Sequence, residues 1–159
     1  MSDSRAVSVS ILKGGVGKST IAVNLSERLA AKENNVLFID IDPNGHASIG
    51  LGFKSEYRAG DTLGPVILED QPPEDSIHST EWGFDVLPSS TELETVEDQL
   101  RSVSFGDVKI RQEIVEPLLD NRYDYIVMDS PAYLGKLSDN SLVASQNVIV
   151  PLTPGAESI

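Results

Sequence analysis

The chain has 159 residues, with 25 Asp and Glu against 12 Lys and Arg, and so a formal charge of −13. A hydrophobic content of 40% with 23% charged residues is enough to bury a core, which excludes wholesale disorder. The absence of cysteine removes disulfides, thiolate zinc sites, iron–sulfur clusters and a cysteine nucleophile, and the net negative charge argues against this stretch alone gripping DNA or an anionic lipid surface.

Residues 6–12 (AVSVSIL) alternate and are rich in Val and Ile, which predicts a strand. Residues 13–17 form a glycine loop. Residues 19–33 read as a helix, because Ile21, Leu25 and Leu29 recur at helical spacing and Asn34-Asn35 ends the pattern. Residues 36–41 (VLFIDI) are the apolar run of a strand buried on both faces, and Pro43-Asn44-Gly45 turns the chain away from it. Residues 61–68 suit a short helix, Gln71-Pro72-Pro73 a loop and residues 84–87 a strand. Leu93, Val96, Leu100 and Val103 give a helical stripe with Ser90 or Thr91 as its cap, and Ile110, Ile114 and Leu118 give another. Residues 125–128 are a strand closed by Asp129, residues 137–145 a helix and residues 147–152 a last strand. No run of ~18 apolar residues marks a membrane span, and no apolar signal core follows the N-terminus, so the chain reads as cytoplasmic.

The acid is concentrated. Eleven Asp and Glu and no Lys or Arg lie between Ala59 and Leu100. A solvated face, adaptation to high salt and a docking surface for a basic partner all fit this pattern, and salt dependence separates the last two.

Strand and helix alternate over the whole length, which predicts a single α/β domain spanning 1–159: a doubly wound, mainly parallel sheet with flanking helices. Such sheets bind ligands beyond the carboxyl ends of their strands. Three polar groups fall there: residues 13–20, residues 40–42 and Asp129. Lys13-Gly14-Gly15-Val16-Gly17-Lys18-Ser19-Thr20 stands between a predicted strand and a predicted helix, as a phosphate loop does. Glycines let backbone N–H groups turn to phosphate oxygens, and the helix N-terminus adds partial positive charge. Lys18 supplies a point charge, and the Ser19 hydroxyl is placed to ligate Mg2+. The strict motif has a glycine where this chain has Leu12.

KGGVGKST, with its additional Lys13, resembles the deviant Walker A loop of the ParA/MinD ATPases, a P-loop NTPase family. The resemblance implies binding of ATP with Mg2+ by residues 13–20 and an ATP-bound homodimer in which Lys13 reaches the partner's nucleotide. Asp40-Ile41-Asp42-Pro43-Asn44-Gly45 is similar to the family's switch I segment, usually DxDPQGN. By that likeness Asp42 positions or activates the attacking water and Asp40 supports the metal site. Asn44 and His46 depart from the pattern. His46 reads as a polar loop residue, and His78 is too distant in sequence to support a two-histidine metal site. Residues 123–132 resemble the Walker B and switch II segment, so Asp129 is expected to hold Mg2+ through a water; Ala132 replaces the family's second proline. Within the family the DPNG motif looks most like the ParA/Soj partition branch.

The resemblance implies a slow, partner-stimulated ATPase acting in plasmid or chromosome partition with a DNA-bound adaptor of ParB type. A MinD-like positioning ATPase and a non-hydrolysing nucleotide-binding module remain alternatives. ParA-like chains continue beyond a segment like this one, so the domain is expected to be incomplete at its C-terminus. Non-specific DNA binding is then expected only where that later part is present.

Overall fold

The apolar runs become neighbours in one sheet because each is too short to bury itself alone. In a computed structural model, which describes residues 4–60 and 62–154, six strands lie in the order β3-β4-β2-β5-β1-β6. They are β1 (Arg5–Val9), β2 (Val36–Asp40), β3 (His78–Ser79), β4 (Asp85–Leu87), β5 (Tyr125–Asp129) and β6 (Asn147–Ile149). Every pairing is parallel except β3 with β4, which is antiparallel. The doubly wound, mainly parallel sheet expected from the alternation is what forms.

Strand β5 lies between β1 and β2, and its register sets the carboxyl ends side by side. Val9 pairs with Asp129, and Asp40 pairs with the same Asp129 from the other flank. Successive residues of β2 point to opposite faces. Leu37 and Ile39 enter a core shared with Leu93, Val96, Ile110 and Leu137, whereas Val36 and Phe38 pack with Ala22, Phe84 and Val127.

Helices cover both faces: α1 (Lys18–Ala30), α2 (His46–Gly50), α3 (Lys54–Ala59), α4 (Leu63–Leu68), α5 (Leu93–Leu100), α6 (Glu116–Leu118) and α7 (Lys136–Ala144). Helix α1 starts one residue before the predicted start and stops at Ala30, where the Asn34 amide takes the Leu29 carbonyl at 2.9 Å. The first strand stops at Val9 and the last at Ile149, so residues 10–12 and 150–152 belong to loops. Helix α5 ends at Leu100, leaving Val103 exposed, and it is capped by Glu92 rather than by Ser90 or Thr91, with no side chain on its free N–H groups; the Ser90 hydroxyl accepts the Glu92 N–H at 3.1 Å in the turn before it. The stripe on Ile110 and Ile114 opens with a π-helical turn, Arg111–Val115, where the ladder meets Pro117, which has no N–H for the carbonyl of Glu113. Helices α2 and α3 have five and six residues, too few to show a period in sequence. Asp61, where the sequence starts the helix before Leu68, lies outside the described residues.

Eight of the acids in the acidic stretch are exposed: Glu69, Asp70, Glu74, Asp75, Glu81, Glu92, Glu94 and Asp98. Two are not. Asp85 accepts the Tyr123 hydroxyl at 2.8 Å, and Glu97 is buried against α7. Among the described residues no helix is long and apolar enough to cross a membrane.

Candidate functional site

The chain leaves β1 and turns into α1 through the glycine loop. Gly17 caps α1 with φ 83, the left-handed region where a side chain is disfavoured. The first helical hydrogen bond follows, from Ile21 N–H to the Gly17 carbonyl at 2.8 Å. The remaining N–H groups of the first turn have no intrahelical partner and face the cleft end of the helix. Lys18 opens the helix with its side chain folded inward, only 7% exposed. Its ammonium lies 2.6 Å from Asp129 Oδ1 and 3.9 Å from Asp42 Oδ2.

The three aspartates converge because their strand ends are adjacent. Burial is the main force raising the Asp129 pKa above the carboxylate range, with the Asp42 charge adding to it; the Lys18 ammonium and the nearby Ser19 hydroxyl oppose the rise. Asp129 Oδ2 is buried without a hydrogen-bond partner. Burial, then the Asp129 charge, pushes Asp40 to about 7 against the stabilising Ser48 donors. Asp40 Oδ2 accepts the Ser48 N–H at 2.9 Å and the Ser48 hydroxyl at 2.6 Å, and Oδ1 accepts the Asp42 N–H at 3.2 Å. Asp40 Oδ2 thus fastens α2 to the end of β2, while Oδ1 holds the turn at Asp42. Asp42 Oδ1 takes the Asn44 backbone and side-chain N–H groups, each at 3.0 Å, which leaves Oδ2 toward Lys18.

A cleft of about 310 Å³ runs over this cluster. Lys13, Gly14, Gly15, Gly17, Lys18, Ser19 and Thr20 form one wall, and Asp42, Asn44, His46 and Ala132 the other. Of the phosphate-loop residues picked out in sequence, Val16 does not line it. Asp40 and Asp129 lie beneath, fully buried. His46 is exposed at the start of α2, while His78 sits on β3 against the Phe53 ring, 5.5 Å between centroids, so the two histidines make no site together. Sequence reading missed Ser48, Ser89 and Tyr57, which surround the Asp42 turn. Ser89 follows β4 at the carboxyl edge of the sheet, and that position was the available signal.

Among the described residues no three His, Asp or Glu form a cage for a metal ion. Mg2+ keeps several waters and commonly binds through one or two protein groups plus substrate phosphates. The partnerless Asp129 Oδ2 and the adjacent Ser19 hydroxyl fit such an ion.

A parallel sheet whose first strand runs through a glycine loop into a helix, with a buried lysine and acids at neighbouring strand ends, defines a P-loop nucleotide-binding fold. The profile of the family described as "AAA domain" matches residues 4–159, and the chain belongs to that family. It is 38% identical to the chromosome partitioning protein ParA of Myxococcus xanthus over 93% of this chain and 52% of that one. It is 34% identical to the sporulation initiation inhibitor protein Soj of Bacillus subtilis over 93% and 58%. The chain therefore spans about half the length of these curated relatives. Among solved structures it matches cobyrinic acid a,c-diamide synthase from Mycobacterium smegmatis with bound ADP and magnesium (TM-score 0.90, 28% identity, 98% of this chain and 64% of that chain). A McdA variant from Cyanothece in complex with ATP matches at TM-score 0.88 and 26% identity, over 99% and 60%. The ParA/Soj likeness read from KGGVGKST and the aspartate motifs agrees with these matches.

Proposed function

We propose that the chain binds ATP with Mg2+ in the cleft at the N-terminus of α1 and acts as a slow ATPase switch of the ParA type. The observation that carries this is Lys18, buried between Asp129 and Asp42 at the mouth of the glycine loop. Backbone N–H groups of the loop and of the first turn of α1 hold the triphosphate, and Lys18 supplies positive charge to its β- and γ-phosphates. The Ser19 hydroxyl and Asp129 would hold Mg2+, which would supply charge neutralisation at the phosphate oxygens. Asp42 orients water for in-line attack on the γ-phosphate, with its Oδ1 tied to Asn44 and its Oδ2 facing Lys18 at 3.9 Å. Asp40 supports the site by fixing α2 and the Asp42 turn. Lys13, exposed on the cleft wall, reaches the nucleotide of a second copy in an ATP-bound homodimer, so that loss of the γ-phosphate releases the pair.

The ParA and Soj relatives support a role in plasmid or chromosome partition, with a DNA-bound adaptor of ParB type stimulating turnover; a MinD-like positioning role is the nearest variant. A non-hydrolysing nucleotide-binding module is the second reading, favoured by the Asn44 amide that occupies Asp42 Oδ1.

The test is Mg2+-ATP hydrolysis by the purified chain at low and at multimolar salt, with Lys18→Ala and Asp42→Ala beside it. Turnover that needs both residues supports the ATPase. ATP binding without turnover selects the binding module. Normal turnover in Asp42→Ala refutes the role of that aspartate.

A further inference from the structure

Asp42 sits in a turn, and a turn between a strand and a five-residue helix has little rigidity of its own. What holds it comes from elsewhere in the chain. Ser89, fully buried two residues after β4, donates its hydroxyl to the Asp42 backbone carbonyl at 2.6 Å, across 47 positions of sequence. The Ser89 N–H donates to the Ser48 hydroxyl oxygen at 2.9 Å, and that hydroxyl donates in turn to Asp40 Oδ2 at 2.6 Å. A closed path therefore links β4, α2, the end of β2 and Asp42. The Tyr57 hydroxyl also donates to the Pro43 carbonyl at 2.8 Å. The Tyr57 ring lies so close over Gly45 that a Cβ there would be 2.3 Å from it. Gly45 itself has φ 61 and gives its N–H to the Asp42 carbonyl at 2.9 Å.

We infer that Ser89 is a positioning residue that fixes the carboxylate of Asp42 for the reaction, with Tyr57 bracing the same turn. This role rests on the ATPase proposed above. Plain satisfaction of a buried polar group is the competing account, and the geometry separates the two. Without the Ser89 hydroxyl the Asp42 carbonyl still accepts the Gly45 N–H, so the carbonyl is not orphaned and the fold loses little. What is lost is the anchor from β4 that fixes the direction of the side chain. Small displacements of a reacting group cost far more in rate than in stability. The path also joins Ser48 to Asp42 through Ser89, so a shift of α2 reaches the carboxylate.

The experiment uses Ser89→Ala and Tyr57→Phe in the whole chain. Expected for Ser89→Ala is a fall in kcat of roughly tenfold or more with KM for ATP within about twofold of the parent, the split produced by a misplaced reacting group. In an Asp42→Ala background, Ser89→Ala should produce no further loss, because both changes act on one group. Amide exchange supplies a readout independent of turnover. The N–H groups of Asn44 and Gly45, which bond to Asp42, should exchange faster in Ser89→Ala and in Tyr57→Phe, while those of β5 keep the parent rate. Parent kcat together with parent exchange at Asn44 and Gly45 in Ser89→Ala overturns the inference. So does an equal loss in the Asp42→Ala background, which would place the effect of Ser89 elsewhere. Absence of turnover in the parent chain overturns the ATPase instead, and exchange at Asn44 and Gly45 then decides alone whether Ser89 holds the turn.

Discussion

Glu97 offers a sharp test of how this fold is held, because a carboxylate buried to 7% exposure has to be accounted for. Its Oε1 accepts the Lys136 N–H at 2.6 Å and its Oε2 the Leu137 N–H at 2.9 Å, the first two residues of α7. A side chain of α5 thus caps another helix, one whose start follows directly on the segment after Asp129. The perturbation is Glu97→Gln, which keeps shape and size. An amide has one acceptor oxygen, so it satisfies one of the two N–H groups and turns its NH2 toward the other. One charge-assisted bond becomes neutral, the other is lost, and a buried N–H is orphaned. Hydrogen bonds to charged groups contribute about 1.5–3 kcal/mol each, so a loss of about 2–3 kcal/mol is expected after allowing for the easier burial of a neutral amide. For a chain of this size that corresponds to a Tm lower by about 4–12 °C. Differential scanning calorimetry reads it directly, with exposed Asp98→Asn as a control that should stay within about 0.5 kcal/mol of the parent. A Glu97→Gln midpoint within about 1 °C of the parent would refute the reasoning.

Gly135→Ala places a methyl carbon 2.5 Å from Glu97 Oε1, so it should destabilise on its own, and the Gly135→Ala/Glu97→Ala pair should lose less than the sum of the singles in urea titrations. Lys13→Ala should leave ATP affinity near the parent value yet abolish ATP-driven dimerisation, read by light scattering on a sizing column. Phe38→Ala empties a fully buried position that meets Phe84 edge-on with 6.3 Å between ring centroids, and a loss of about 3–5 kcal/mol is expected in urea unfolding. With a net charge of −13 and eight exposed acids in one stretch, the thermal midpoint should rise between about 0.05 and 0.5 M NaCl as repulsion is screened; a fall would show that ion pairs outweigh repulsion.

Local sequence carried what local physics determines. The apolar runs at 36–41 and 125–128 became the central strands, and the glycine loop lies between β1 and α1 because its glycines and the following helix pattern are contiguous. The convergence of Asp129 with Asp40 is a different matter. It depends on β5 inserting between β1 and β2, a pairing that no residue in either strand announces. Helices α2 and α3 were invisible because they have too few residues for a period; α2 is fastened by Asp40 through two bonds to Ser48 rather than by an apolar stripe.

Glu97 shows where a signal existed and was passed over. It lies in the acidic stretch, yet Leu93, Glu97 and Leu100 stand at i, i+4 and i+7 on one helical face, and Leu93 and Leu100 are fully buried. A carboxylate on an apolar stripe needs donors, and the donors a fold supplies most readily are the unpaired N–H groups at the start of another helix. The same logic applies to Ser89, a hydroxyl at the carboxyl edge of a parallel sheet, where loops from several strands meet and their carbonyls need partners. In both cases the residue type and its place on an element were legible in sequence, while the partner was not, because it lies 39 to 47 positions away and is brought near only by strand order. Side chains that join distant loops at this edge of the sheet are therefore the ones through which a change at the cleft over Lys18 would reach the rest of the domain.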